Sequence, residues 1–232
     1  MKVFVGTSGY SYKEWKGTFY PEDISPGEML AYYASRFETV EINNTFYRMP
    51  QSNVVASWAA QTPEHFSFVL KAPQKVTHIA RLKNVADTVG YFLKVASELG
   101  AKQGPLLFQL PPNFKKDIGR LRDLLALLPS RVRAAIEFRH PSWFDEETYE
   151  ALRGTGVALC AVENEDGKTP LVATAPFGYF RLRELEYTDD ELARWVDAIR
   201  AQPWSEAWVF FKHEDEGRGP KLAERMMSRL AQ

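Results

Sequence analysis

The sequence predicts a TIM-type (β/α)8 barrel of parallel strands, one domain over residues 1–232. Three observations carry that expectation. Short apolar runs alternate with longer amphipathic ones about eight times, the pattern of a parallel sheet covered by helices. The chain has 232 residues, enough for one closed barrel and few for two domains. No linker, low-complexity tract or strong internal repeat divides it. A doubly wound open sheet is the competing arrangement.

Eight runs read as strands: 2–6, 39–43, 66–71, 106–110, 133–139, 157–162, 179–183 and 208–213. Each is short, rich in Val, Leu and Phe, and bounded by turn residues. The helices between them carry start and stop signals. Ser25-Pro26 offers an N-cap and a first-turn proline ahead of Glu28 to Phe37. Asn84 to Leu99 stops at Gly100, and Asp117 to Leu128, with leucines at helical spacing, stops at Pro129. Thr188-Asp189-Asp190-Glu191 matches a capping box, and Gly219-Pro220 opens a last helix. Between the sixth and seventh strands, Pro170 to Pro176 reads as loop, so one unit is expected to lack its helix.

Side chains on a strand alternate between faces, which separates the lumen from the helix-facing side. Val40 and Ile42 face the helices, leaving Glu41 and Asn43 inward; Ile136 and Phe138 leave Glu137 and Arg139 inward. The same parity sends Lys71, Gln109, Arg181, Arg183 and Lys212 inward, near the C-terminal ends where barrel enzymes keep their sites. That set holds five cations against two carboxylates, a surplus of +3. The charge points to a mouth that holds a phosphate or carboxylate. The competing structural reading is a self-paired plug, with Glu41 and Glu137 bonded to Arg181 and Lys212.

Several of these runs resemble a known family. Gly6-Thr7-Ser8-Gly9-Tyr10 with Trp15, Gly17 and Phe19-Tyr20-Pro21 is similar to the opening of the domain-of-unknown-function 72 (DUF72, YecE-like) proteins. So are Val40 to Arg48, Phe68 to Pro73 with Thr77-His78, Pro105 to Phe114, Ile136 to Phe144, Tyr179 to Arg183, and Phe211-Lys212-His213. The resemblance covers essentially the whole chain. It implies a TIM-type barrel and, by the family's own name, no assigned reaction. Its matched residues coincide with the inward set.

Glu41 and Glu137, on strands two and five, are the candidate catalytic pair: Glu137 beside Arg139 as base or nucleophile, Glu41 among apolar neighbours as acid. The substrate-binding candidates are Ser8, Tyr10, Asn43, Lys71, Gln109, Arg139, Arg181, Arg183, Lys212 and Gly219. The arginines suit bidentate anion contacts. Gly219 belongs to Glu216-Gly217-Arg218-Gly219-Pro220, placed where barrels often bind phosphate at a helix N-terminus. No cofactor is predicted, since Gly6-Thr7-Ser8-Gly9 is not a dinucleotide fingerprint and no P-loop occurs. A divalent metal is an open alternative, with Glu41, Glu137, His140 and His213 as its ligand set, although no HxH or HExxH spacing supports it. The aromatics of the first loop (Tyr10, Tyr12, Trp15, Phe19, Tyr20) and Trp143 and Phe144 either stack on a ligand or pack the loops to the rim, the second being the ordinary role.

Composition narrows the partners. The chain is 45% hydrophobic and 25% charged, with 29 basic and 30 acidic residues and a net charge of -1. That balance argues against coating nucleic acid or an anionic membrane, which disfavours nucleic acid without excluding it. The single cysteine, Cys160, sits in an apolar run and reads as core rather than a reactive thiol. No apolar stretch reaches the ~18 residues of a membrane span and no signal peptide is evident, so the expected location is the cytoplasm. The oligomeric state is left open. The leading functional expectation is a hydrolase or lyase acting on a small anionic substrate. A metal-dependent phosphodiesterase or endonuclease and a non-catalytic anion-binding protein are the alternatives.

Overall fold

All eight apolar runs form strands of one parallel sheet that curls almost shut, with helices outside it. A computed structural model describes residues 1–165, 167–212 and 217–231. The strands are β1 (Lys2–Thr7), β2 (Thr39–Ile42), β3 (Ser67–Lys71), β4 (Gln103–Gln109), β5 (Ala134–Glu137), β6 (Ala158–Asn164), β8 (Phe177–Leu182) and β9 (Glu206–Phe211). A two-residue strand, β7 (Gly167–Lys168), folds back antiparallel on β6. It occupies the unit expected to lack a helix, and no helix lies between β6 and β8 among the described residues. The order β1-β9-β8-β6-β5-β4-β3-β2 leaves β1 and β2 as the two edges that meet.

The outer helices are α1 (Met29–Ala34), α2 (Asn44–Tyr47), α3 (Ser52–Ala60), α4 (Ala86–Ala96), α5 (Ile118–Ala126), α6 (Glu146–Arg153), α7 (Asp189–Arg200) and α8 (Arg218–Leu230). Two start as expected: the Asp117 side chain accepts from the Arg120 N–H, and Thr188 and Glu191 form a reciprocal capping box. Helix α1 is shorter than expected. Glu28 accepts from the Ser25 N–H and hydroxyl instead, closing a separate turn before the helix begins. Helices α3 and α6 complete the expected alternation of strand and helix, and Asp145 caps α6 by accepting from the Thr148 N–H.

Parity sorts the strand side chains as expected. Val40, Ile42, Phe68, Leu70, Phe108, Ile136, Phe180, Leu182, Val209 and Phe211 join the core between sheet and helices. Val69, Leu107, Ala135, Cys160, Tyr179 and Phe210 form a separate core inside the barrel, where Cys160 is fully buried. The lower lumen is plugged by Phe4 stacked on Trp208, ring centroids 4.1 Å apart. Arg133, paired with Glu206 and lying over the Trp208 ring, closes this end.

The seam is closed by a side chain. Between β1 and β2 the only backbone pairing among the described residues is an isolated bridge of Ser8 with Glu41. Below it, the buried Tyr33 hydroxyl accepts from the Thr7 N–H at 2.9 Å and donates to the Thr39 carbonyl at 3.1 Å. It stands where a ladder hydrogen bond would. Gly6 permits this approach, because a Cβ there would lie 2.2 Å from the Thr39 carbonyl oxygen. Tyr33→Phe is expected to cost about 1–3 kcal/mol by stranding two buried backbone groups. Urea unfolding reads that loss as a lower midpoint; an unchanged midpoint would mean the strands pair directly once the hydroxyl is gone.

Candidate active site

The C-terminal ends of five strands bring Glu41 (β2), Lys71 (β3), Gln109 (β4), Glu137 (β5) and Arg181 (β8) together, all buried. Register explains the contacts. Gln109 pairs with Glu137 across β4 and β5, and Lys71 pairs with Leu107, one step below Gln109 on the same face. The Gln109 amide can therefore reach both neighbours. Its Nε2 donates to Glu137 Oε1 at 2.8 Å, and its Oε1 accepts from Lys71 Nζ at 2.8 Å.

Arg181 bridges the two carboxylates. Nη1 donates to Glu137 Oε2 at 2.6 Å and Nη2 to Glu41 Oε1 at 2.7 Å. Glu41 also accepts from Ser8 Oγ at 2.8 Å, Asn43 Nδ2 at 3.2 Å and Tyr179 Oη at 2.6 Å. Every carboxylate oxygen thus has a donor, and a guanidinium fills the space between the acids.

The titration of each group follows from these contacts. Burial would raise both glutamates, but Arg181 outweighs it, with help from Tyr179 at Glu41 and Arg183 at Glu137. Glu41 is held below the usual carboxylate range, and Glu137 is pushed down to about 2. The expectation of Glu41 as a proton donor is therefore corrected: the same guanidinium keeps both acids ionised. Lys71 behaves oppositely. Burial, then repulsion from Arg181, lower its ammonium to about 7 against the pull of Glu137 and Glu41. Among the described residues no carboxylate touches it; its Nζ meets the neutral Gln109 amide and the Phe46 ring, 4.1 Å away. Within this buried network Lys71 is a group that can exchange a proton near neutral pH. His78, packed on the Phe46 ring with centroids 4.8 Å apart and lowered by burial and by Lys71, is its titratable neighbour.

Of the predicted binding residues, Ser8, Asn43, Lys71, Gln109 and Arg181 lie within this network. Arg183 is half-buried above it, lowered by burial and by Arg181, and no ion pair reaches it among the described residues. Among the described residues the buried Nε–H groups of Arg181 and Arg183 have no acceptor. Arg139 and Lys212 depart from expectation. Each lies beyond the end of its strand (Glu137 and Phe211 are the last residues), so strand parity no longer holds them inward, and both are exposed. The plug imagined with Lys212 is made by Arg181 alone.

Three other expectations are also displaced. Tyr10 does not stand free at the mouth: it packs against the core and its carbonyl accepts from Tyr20 Oη. Gly219 is buried inside α8, which begins one residue before it with a left-handed Gly217 as its cap. A Cβ on Gly217 would lie 2.6 Å from Thr18 Oγ1, so this helix end faces the first loop. Trp15, Phe19, Tyr20 and Trp143 are buried loop packing, Trp143 stacking on Phe138 at 4.7 Å.

The alternative metal ligands do not converge. Arg181 fills the gap between Glu41 and Glu137, and His140 Nδ1 accepts from the Ser142 N–H to cap a turn. His213 lies outside the described residues. Among the described residues no three His, Cys, Asp or Glu side chains form a metal-binding group. Sequence reasoning missed Tyr179, although parity places it in the inward column of Arg181 and Arg183. It also missed Phe46, which walls Lys71 from a helical turn beyond β2 and left no periodic signal.

Comparison with known proteins gives a consistent set of relatives. A family model described as a protein of unknown function, DUF72, matches residues 4–232. The UPF0759 protein YecE of Escherichia coli K12 is 31% identical over 157 residues, covering 67% of this chain and 55% of YecE. The UPF0759 protein YunF of Bacillus subtilis is 28% identical over 157 residues, 64% of this chain and 54% of YunF. The match thus spans about half the length of these curated relatives. A DUF72 family protein from Thermotoga maritima has a similar structure, with TM-score 0.81, 28% identity and both chains fully covered. Another from Enterococcus faecalis V583 shares the fold, with TM-score 0.84 at 20% identity, covering 99% of this chain and 96% of its own.

Proposed function

The chain belongs to the DUF72 family, and from that premise we propose that its barrel mouth is the active site of a lyase or hydrolase acting on a small phosphorylated or carboxylated substrate, with Lys71 as the proton-transfer group. The observation that carries this reading is the division of charge. Glu41, Glu137 and Arg181 satisfy one another, while Lys71 and Arg183 lie beside them without a carboxylate partner among the described residues. With Lys71 as ammonium, three cations (Lys71, Arg181 and Arg183) face two carboxylates, and a ligand anion on the Arg183 guanidinium offsets that surplus of one. Arg139 and Lys212, at the exposed rim, steer anions toward the mouth. Glu41 and Glu137 act by holding Arg181 rather than by exchanging protons.

A thermal-shift screen against phosphate and phosphorylated or carboxylated metabolites tests this reading. A ligand at a hundred times its Kd stabilises by about 2.7 kcal/mol, about 5–10 °C in Tm for a chain of this size. Arg183→Ala is expected to lose the shift. No shift with any anion would sink the proposal. The full satisfaction of both carboxylates also favours a second reading, an anion-binding protein without turnover. In that case the shift would survive Lys71→Met.

A further inference from the structure

Lys71 is placed to react as well as to titrate. Its Nζ projects from the C-terminal end of β3 and keeps one fixed hydrogen bond, to Gln109 Oε1. The amide cannot flip away, because its other end donates to Glu137. A neutral amine can still donate one N–H to Gln109, which leaves its lone pair directed elsewhere. Phe46 covers one side of the nitrogen, its ring centroid 4.1 Å away. Among the described residues no acid bonds the nitrogen and holds it as ammonium; Glu41 and Glu137 are both bonded to Arg181. The side chain stays 8% exposed, so it is reachable from the mouth. Arg183, close enough to Lys71 to act on its charge, is the neighbouring cation without an ion pair among the described residues.

We propose that Lys71 is a nucleophile that forms a Schiff base with a small aldehyde or ketone bearing a phosphate or carboxylate, which Arg183 holds. This rests on the anion-site reading of the mouth and names its substrate class. The nitrogen lone pair attacks the carbonyl carbon, and the C=O π pair moves to oxygen. The two N–H protons pass to that oxygen, the C–O bond breaks, and water leaves as the C=N bond forms. Buried lysines whose charge is disfavoured by neighbouring cations are suited to this step. The resulting imine, once protonated to the iminium, withdraws electrons from the adjacent carbon, which is what a lyase needs.

Reductive trapping tests it. The full-length protein is treated with glyoxylate or glycolaldehyde phosphate, or with neutral propanal, together with sodium cyanoborohydride. The product is read by intact mass and peptide mapping. Expected is one adduct per chain at Lys71, its rate rising with pH through about 7. With each rate divided by that of a surface lysine, the anionic probes should exceed propanal about tenfold, the effect of one charged contact. Arg183→Ala should lose that advantage, and Lys71→Arg should lose the adduct. Labels confined to surface lysines would overturn the Schiff-base proposal while leaving any anion-induced thermal shift standing. Equal normalised rates for propanal and the anionic probes at Lys71 would overturn the anionic substrate class, and with it the anion-site reading.

Discussion

Arg181→Ala is expected to destabilise the barrel by about 3–5 kcal/mol at pH 7.5, because it strands two buried carboxylates. For a chain of this length that is a fall in Tm of about 6–20 °C. The pH dependence gives a sharper signature. In the native protein Glu137 has a folded pKa of about 2, below its unfolded value of about 4.3. Its stabilising contribution is therefore complete above the unfolded pKa and is lost as pH falls toward the folded one. Without Arg181 its main counter-charge is gone, and burial pushes both glutamates above the unfolded value. The sign then reverses: the variant gains stability as pH drops from 7.5 to 5, while the native protein does not. Denaturant unfolding at the two pH values checks this. A loss under about 1 kcal/mol with no reversal would show that the guanidinium is not what compensates these acids. Combining Arg181→Met with Glu41→Gln and Glu137→Gln should recover only part of the loss, since the stranded carboxylates are neutralised but Lys71 and Arg183 then lose the acids that face them.

Lys71→Met is expected to change stability in a pH-dependent way and to abolish turnover, by about a thousandfold or more if Lys71 carries the proton. Native Lys71 loses its proton near pH 7, whereas an unfolded lysine keeps it to about 10.4. Between those values the unfolded chain binds more protons, so native stability rises with pH there. The methionine variant lacks this slope. Relative to it, the native protein should gain about 2–3 kcal/mol between pH 6 and pH 9. At pH 6 the variant is relieved of a buried ammonium but leaves the Gln109 carbonyl without its donor, which limits its benefit. Parallel pH–stability curves for the two proteins would mean that Lys71 titrates normally, and the proton-transfer role would go with it. A fall in turnover together with that slope ties the chemistry to the same group that the fold destabilises.

These expectations differ in how far they were legible beforehand. The strand parity that sent Lys71, Gln109, Glu137 and Arg181 inward was correct, and so were the helix start at Asp117 and the capping box at Thr188. It failed where the strands end: Arg139 and Lys212 lie past the last paired residues, and beyond a ladder nothing enforces alternation. It also undervalued Tyr179, which donates to Glu41 from a column already assigned to the lumen. The membrane question is narrower in the structure than in the sequence: no helix among the described residues is long and apolar enough to cross a bilayer.

By itself, the sequence determined the eight strands, the missing helix between β6 and β8, and which strand side chains face the lumen. Those depend on local periodicity, which is written along the chain. Only the tertiary structure decided that one arginine holds both glutamates, that Lys71 is left with a neutral partner, and that Tyr33 closes the seam. Arg181 and Glu41 are 140 residues apart in the chain, and Tyr179 and Glu41 are 138 apart. Parity states that such residues share a lumen. Their height and facing across it are set by strand register and by how the sheet closes. Because Coulomb energy and desolvation change over a few ångströms, those placements decide which acids are neutralised and which amine is free to react.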